Sequence, residues 1–406
     1  MSEPHGAGPL GIELFVVLLG IAALVALATR RIPVPYSVAL VLAGLGLGAL
    51  LPDQQLVTVD SELILAVLLP GLVFEAAYKM DVGHLRSAFP MVSVMAAPGV
   101  LVTAGLVAVA ANVLTGLDLP TAFLLGAIVS ATDPVAVVAL FKRIGAPGRL
   151  ATAVEAESLL NDGTGVVLFA IALRALAEPV TLADGVLSFV ATVAISAVLG
   201  LVAGRVAGFL LGLTDDHLLE VTITVVGAYG TYLLADRLHQ SGIIATVVVG
   251  LVLASLSSPK PITHHAREVI GETWEVIAFL LTALTFLLMG LVISPALLVT
   301  AAPLIAVAFV AMTAGRAIST YGLVGIGSRI RPIGGPISTG FLHVVFWSGL
   351  RGAIAVALVL SLPADMPNRD LVTGAVYGVV LITLLVQGTT AGLVVRRSGV
   401  LEAAAD

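Results

Sequence analysis

The densest group of polar side chains in an apolar part of this sequence is Glu157, Ser158, Asn161 and Asp162. If the segment is helical, about 100° per residue places all four within about 140° of one face, and we expect them to line one cavity. An ionisable side chain in apolar surroundings is costly unless it is paired or hydrated, so each one is a functional candidate. Hard cations such as sodium bind through several oxygen ligands, and this group offers carboxylate, hydroxyl and amide oxygens.

A second candidate is Asp133, which stands beside Pro134 in another apolar stretch. Proline removes a backbone hydrogen bond inside a helix, so we expect the helix to be unwound here and its carbonyls to be free for a cation. The Asp133 carboxylate would offset the positive end of the following half-helix. Arg351, between Gly349 and Gly352, would offset negative half-helix ends in the same way. A simple proline kink with Asp133 in a water pocket is the alternative.

Three further charges need an explanation. Glu75 near the end of an apolar stretch either faces the same cavity or extends toward solvent, and Glu155 is either part of the site or a polar entrance residue. Arg316 needs an acidic partner. Glu157 is the most economical choice, because Asp162 must stay free for cargo.

The elements that position these residues must lie in lipid. Of the 406 residues, 59% are hydrophobic and only 11% are charged, whereas soluble domains carry about 25% charged residues. The 42 glycines and the 5% aromatic residues suit helices that pack closely through small residues. The absence of cysteine excludes a disulfide framework and a thiolate metal site.

Membrane spans can be located by hydropathy, since a helix needs roughly 20 apolar residues to cross the hydrocarbon core. The sequence predicts an all-α membrane protein with thirteen transmembrane helices. Their approximate centres are Leu19, Ala43, Leu69, Thr103, Val129, Val166, Leu199, Gly227, Val248, Leu281, Ala311, Ile354 and Leu384.

The basic residues predict the orientation, because cytoplasmic loops are enriched in Lys and Arg. Most of them fall on alternate loops, namely Arg30, Arg31, Lys79, Arg86, Lys142, Arg143, Arg149, Lys260, Arg267, Arg329, Arg331, Arg396 and Arg397. This pattern places the N-terminus outside and the C-terminus inside. Span 1 then runs inward and span 8 runs outward, so that spans 1 to 6 and spans 8 to 13 can be inverted copies of each other. The interruptions in spans 5 and 12 lie seven spans apart, as expected of such repeats.

The motifs around these residues resemble a known family. The most specific stretch runs from Ala131 through Phe169 as ATDPVAVVALFKRIGAPGRLATAVEAESLLNDGTGVVLF. Supporting stretches are FEAAY around Glu75, WEVIAFLLTALTFLLMGL from Trp274, GRA around Arg316 and GLRGAIA from Gly349. Over nearly its whole length the chain resembles the monovalent cation:proton antiporter family, which includes prokaryotic sodium/proton antiporters and animal sodium/proton exchangers.

The resemblance implies a fold and a location. We expect inverted six-helix repeats with crossed, discontinuous helices, a homodimer in a prokaryotic plasma membrane, and an elevator-like movement of a core against a scaffold. The corresponding division has scaffold spans 1–3, core spans 4–6, linker span 7, scaffold spans 8–10 and core spans 11–13. Their residue ranges are 1–90, 91–175, 176–217, 218–300 and 301–406.

The resemblance also implies roles for the candidate residues. Asp162 matches the carboxylate that binds cation or proton, and Asn161 before it is typical of the electroneutral branch. The remaining matches are a cation site with Thr132, Ser158 and Glu75, charge compensation at the half-helices by Asp133 and Arg351, and a structural ion pair of Glu157 and Arg316. Sodium would be bound at Asp162, Ser158 and Thr132. A small departure is Ala156, where exchangers often have glycine.

The expected function is electroneutral exchange of one sodium ion for one proton, by competition of the two for Asp162. No cofactor is expected, and the partners are sodium, protons and the lipid bilayer. Potassium/proton exchange remains an alternative, because oxygen ligands do not fix the size of a cavity. A cation channel is a remote alternative, since the single charged site lacks the symmetry of a selectivity ring. An intramembrane enzyme is disfavoured because Ser158 has no histidine at helical spacing.

Overall fold

The computed structural model describes residues 9–32, 34–50, 64–255, 264–330 and 337–401, which form helices and connecting loops and contain no strand. In the first half, the α-helices are α1 (Pro9–Thr29), α2 (Tyr36–Leu50), α3 (Leu69–Lys79), α4 (Val82–Val94), α5 (Val100–Thr115), α6 (Leu119–Ser130), α7 (Val135–Ile144), α8 (Gly148–Ala177) and α9 (Leu182–Leu211). In the second half they are α10 (His217–Val225), α11 (Thr231–Arg237), α12 (Gly242–Ser255), α13 (His264–Val292), α14 (Pro295–Thr300), α15 (Ala302–Ala317), α16 (Gly327–Ile330), α17 (Thr339–Trp347), α18 (Ala353–Leu360), α19 (Arg369–Ile382) and α20 (Thr389–Arg397).

Several of these helices continue into the next through a wide, π-helical turn. Met95–Gly99 joins α4 to α5, and Thr383–Gly388 joins α19 to α20. Ile64–Leu68, Val226–Gly230 and Ile318–Ile326 are the other wide turns. Pro98 lies in the first of them, where a wider turn accommodates the missing N–H of proline. The result is long continuous segments such as Val82–Thr115.

Both predicted helix interruptions are present. The backbone leaves the helix between Ser130 and Val135, and again between Trp347 and Ala353. The two interruptions touch each other, because the Asp133 N–H donates a hydrogen bond to the Leu350 carbonyl at 2.8 Å.

The predicted spans agree with the helices in position. Every predicted centre lies within a helical segment of the described residues. Eight helices of the described chain are long and apolar enough to cross a membrane: Val82–Thr115, Leu119–Ile144, Gly148–Ala177, Leu182–Leu211, His217–Arg237, His265–Val292, Ala302–Ile326 and Arg369–Arg397. The thirteen crossings, their orientation, the inverted repeat and the division into core and scaffold stay predictions. Lys260 and Arg331, used to predict the orientation, lie outside the described residues.

Small residues allow the close helix packing that the composition suggested. A Cβ added at Gly290 of α13 would overlap the Val41 carbonyl of α2, and one at Gly126 of α6 would overlap the Ala104 carbonyl of α5. Backbones approach this closely only where a side chain is missing, and lipid offers no hydrophobic drive for such contacts. The second of these contacts fixes α6, which leads directly into the first interruption.

Candidate functional site

One face of α8 lines a cavity of about 280 Å³. Glu155, Ser158 and Asp162 stand three and four residues apart on this face, as helical geometry requires. The other walls come from the interruption at 131–134, from α3, α13 and α18, and from Lys142 at the end of α7. The cavity therefore brings together Asp162, Ser158, Thr132, Asp133 and Glu75, each of which the sequence singled out.

The prediction that Glu157 and Asn161 share this cavity is wrong. They stand on the neighbouring face of α8, where both side chains are 1% exposed and border a small polar gap beside Arg316 and Arg351. An arc of 140° is too wide for one cavity, and the two i, i+4 pairs separate by about 100°. The helix therefore carries two polar faces with different surroundings.

Thr132 is held in place by two residues of α8. Asn161 donates from Nδ2 to the Thr132 hydroxyl at 2.6 Å, and the Asn161 Oδ1 accepts from the Thr132 N–H at 3.1 Å. The Ser158 hydroxyl donates to the Thr132 carbonyl. These bonds satisfy polar groups that the unwound backbone would otherwise leave unpaired. Asn161 thus fixes the position of Thr132 and does not itself line the cavity.

Asp162 differs from Glu157, Glu75 and Asp133 because its carboxylate is free. Among the described residues, no side chain or backbone group forms a hydrogen bond or an ion pair with it. It is partly exposed to the cavity, one turn from Ser158. A carboxylate that is already paired must break that contact before it can bind an ion. Asp162 can bind an ion without breaking any such contact.

Asp133 contacts the beginnings of both half-helices that follow the interruptions. Its Oδ1 accepts from the Val135 N–H of α7 at 3.1 Å, and its Oδ2 accepts from the Ala353 N–H of α18 at 3.2 Å. A Cβ at Gly352 would overlap this carboxylate, so glycine permits the approach. The N-terminal end of a helix carries partial positive charge, which a carboxylate offsets.

Arg351 contacts the C-terminal ends of the half-helices that precede the two interruptions. Its guanidinium donates from Nε to the Val129 carbonyl near the end of α6, and from Nη1 to the Gly349 carbonyl after α17 at 2.8 Å. The side chain is 1% exposed. Its backbone N–H donates to the Thr383 hydroxyl at 3.1 Å. Asp133 and Arg351 therefore occupy the positions at which opposite charges offset the helix ends.

Glu157 and Arg316 form a bidentate contact between α8 and α15. Nη2 of Arg316 lies 3.0 Å from Oε2 of Glu157, and Nη1 contacts Oε1. Nη2 also donates to the Val345 carbonyl at 2.8 Å. Glu157 is 1% exposed and Arg316 is 7% exposed, so neither charge has solvent as an alternative partner. The structure thus places the two residues together as the sequence suggested.

Glu75 lies in the cavity wall but is not free. Its Oε1 is 3.0 Å from the Lys79 ammonium one turn later on α3, and the same ammonium contacts Glu275 of α13 at 2.8 Å. Of the two alternatives for Glu75, the structure favours the one in which it faces the cavity, where its carboxylate is paired with a lysine. Its role as a cation ligand stays a prediction.

Some residues around the site were not found from the sequence. Thr383, which binds the Arg351 backbone, stands in an apolar stretch without a motif, and Thr282 in the cavity wall lies within the stretch from Trp274 but was not singled out there. They reach the site through packing between helices distant in sequence, and no local pattern indicates this. The sequence left open whether Glu155 belongs to the site or is a polar entrance residue, and the structure places it in the cavity wall.

A bundle of long apolar helices, with two interruptions that meet beside a free carboxylate, is the architecture typical of secondary membrane transporters. Residues 16–397 match the family model described as sodium/hydrogen exchanger, transmembrane. The chain belongs to this family, which confirms the resemblance and makes the protein a multi-pass membrane transporter and not an enzyme.

Individual proteins agree with this assignment. The Na(+)/H(+) antiporter ApNhaP of Aphanothece halophytica is 38% identical over 388 residues, which cover 95% of this chain and 74% of that protein. The Na(+)/H(+) antiporter NhaH of Halobacillus dabanensis is 33% identical over 410 residues, which cover 98% of this chain and 100% of that protein. The structure of the sodium proton antiporter MjNhaP1 from Methanocaldococcus jannaschii at pH 8 has a TM-score of 0.77 at 19% identity, with 95% of this chain and 98% of that chain covered. The last comparison shows the fold.

Proposed function

We propose that the protein exchanges sodium for protons across a prokaryotic plasma membrane, with Asp162 binding either ion in turn. The observation that carries this proposal is the free carboxylate of Asp162 on the cavity wall, beside the oxygens of Thr132 and Ser158. Similarity to the named sodium/proton antiporters supports the choice of ions.

The exchange follows from competition for one site. Asp162 binds a proton, or it binds sodium together with oxygens of Ser158 and Thr132. Sodium needs several oxygens in place of its water shell, and the interruption exposes backbone carbonyls that a continuous helix would use internally. An unoccupied Asp162 carries a net negative charge, which is costly to move through an apolar region, so the empty site stays where it is.

The same contacts support a ratio of one cation to one proton. On α8, Glu157 is occupied by Arg316, and Asn161 has an amide that does not titrate near neutral pH. Both oxygens of Asp133 already accept hydrogen bonds from backbone N–H groups at helix ends, so this carboxylate is engaged in the structure. Asp162 and Glu155 remain as carboxylates of α8 without a hydrogen-bond or ion-pair partner among the described residues. We assign the exchange to Asp162 alone, because Glu155 lies seven residues, or about 10 Å, further along the helix. One site then carries one positive charge in each direction.

The cavity supports alternating access by an elevator-like movement in a homodimer. Leu69, Leu72 and Ala278 of the predicted scaffold line one wall, and the predicted core contributes the opposite, polar wall. This scaffold wall is mostly apolar, with Glu75 and Thr282 as its polar members, and apolar contacts favour sliding because they impose no hydrogen-bond geometry. Lys142 and Glu155 border the cavity at the end that the positive-inside rule predicts to be cytoplasmic, which supports access to the site from that side.

The experiment is cation-driven proton movement in proteoliposomes with a fluorescent pH probe. Sodium, lithium and potassium are added in turn at equal concentration and equal ionic strength. Dequenching with sodium and none with potassium supports the proposal. A larger response to potassium would replace it with potassium/proton exchange. A sodium flux that carries current and moves no proton in exchange would indicate a channel.

A further inference from the structure

A second cavity, of about 480 Å³, lies on the other side of α7 from the cation site. The end of α1 and the start of α2 form one wall, while α7 and α20 form the other. It does not contain Asp162, Thr132 or Ser158, so the exchange mechanism does not use it.

Two arginines stand at the end of this cavity. Arg143 of α7 and Arg396 of α20 line it, and neither has an ion-pair partner among the described residues. Both belong to the face that the basic residues predict to be cytoplasmic. A guanidinium binds a phosphate through two parallel hydrogen bonds, so a pair of unpaired arginines favours a phosphate-bearing anion.

The rest of the cavity is largely apolar and runs deep along the helices. Val135 and Ala139 of α7 and Gly388 before α20 form its inner part. From Val135 to Arg143, eight residues of helix correspond to about 12 Å of depth at about 1.5 Å per residue. A soluble phosphate would leave this apolar groove uncovered, whereas an acyl chain attached to the phosphate would fill it.

A buried hydroxyl in the same cavity also lacks a partner. Ser37 of α2 is 2% exposed, lines the cavity, and its hydroxyl forms no hydrogen bond within the described part of the chain. Buried polar groups are nearly always hydrogen-bonded, so an orphaned hydroxyl indicates a missing acceptor. An ester or phosphate oxygen of a lipid is such an acceptor.

We propose that this cavity is a binding site for an anionic phospholipid, with the headgroup phosphate on Arg143 and Arg396 and an acyl chain against Val135 and Gly388. Basic pockets between transmembrane helices on the cytoplasmic side bind anionic headgroups for the same electrostatic reason. The lipid would contact α1 and α2 of the predicted scaffold together with α7 and α20 of the predicted core.

The test measures lipid binding to delipidated, detergent-solubilised protein by native mass spectrometry and by thermal shift. Phosphatidylglycerol, phosphatidylcholine and inorganic phosphate are compared as ligands. We expect phosphatidylglycerol to bind more tightly than phosphatidylcholine, and inorganic phosphate not to displace it. Equal binding of the two lipids, or displacement by millimolar phosphate, would overturn the proposal.

Variants locate the site. The double variant Arg143→Gln and Arg396→Gln should weaken phosphatidylglycerol binding about thirtyfold. Each arginine is expected to contribute about 1 kcal/mol, which is about fivefold in the Kd, and the two factors multiply. Arg86→Gln with Arg397→Gln removes the same charge outside the cavity and should have little effect. Arg143→Lys with Arg396→Lys should retain part of the binding, which separates loss of charge from misfolding. An equal loss in the control pair contradicts the assignment.

Discussion

The two polar faces of α8 each carry a carboxylate, and their surroundings give these carboxylates opposite roles. Glu157 lies 1% exposed and is bound at both oxygens by Arg316. Asp162 borders a cavity and has no partner among the described residues. Both oxygens of Glu157 are occupied by a guanidinium, whereas a free carboxylate beside a cavity can exchange its ligand. On the proposed function, the difference between the faces separates a stabilising charge at Glu157 from a transporting one at Asp162.

The largest expected effect is on the free carboxylate. Asp162→Asn should reduce sodium-driven proton movement to the level of protein-free liposomes, because an amide neither binds a proton near neutral pH nor balances a cation. Asp365→Asn, in an exposed loop, is the matched control and should retain exchange. Proteoliposome fluorescence checks the activity, and gel filtration checks that the variant is folded. Substantial exchange by the folded Asp162→Asn variant would refute its role.

The next effect concerns the paired face. Arg316→Ala should destabilise the protein by about 3 to 5 kcal/mol, because it leaves the Glu157 charge buried without a partner. Adding Glu157→Gln should recover part of this loss. Thermal unfolding in one detergent compares the variants, with Arg174→Ala at the exposed Arg174 and Glu178 pair as the control that should change little. Additive losses in the double variant would show that the two charges act independently.

A smaller effect is expected at Glu155, on the open face seven residues before Asp162. These positions are separated by about 10 Å along the helix, and Glu155 should attract cations into the cavity. Glu155→Gln should raise the KM for sodium about two- to fivefold at low ionic strength, and salt should abolish the difference. The control is Glu178→Gln at the opposite end of α8. A large loss of kcat would instead place Glu155 within the exchange step.

No effect at all is expected from the membrane potential. One free carboxylate moves one positive charge each way, so the cycle gains nothing from a potential that would otherwise contribute about 2.3 kcal/mol per charge per 100 mV. Sodium/proton exchange should proceed at equal rates with the potential clamped by potassium and valinomycin near zero and strongly negative inside. A sustained sodium-triggered current would show that a second group, with Asp133 the first candidate, also releases a proton.

The comparison also shows which features were predictable from the sequence. Pro134 and the two glycines beside Arg351 predicted the interruptions, because proline and glycine act on the local backbone. The pairing of Arg316 with Glu157 followed from the cost of a buried charge. Helical spacing grouped Glu157 with Asp162, but it did not predict that different neighbours would divide them between two faces. The Lys79 contacts of Glu75 and Glu275 also depend on how α3 and α13 pack, which no local pattern encodes.

The central claim is that sodium and a proton compete for Asp162, and equilibrium binding tests it most directly. Sodium binding to the purified protein is measured in detergent across a series of pH values, together with the protons released. Because a ligand must lose its proton to bind a cation, single-site competition predicts an apparent Kd that rises about tenfold for each unit of acidification below the pKa of the site. Sodium should then release about one proton per protomer from the wild type and none from Asp162→Asn. Sodium binding independent of pH, or equal proton release from the variant, would contradict the account.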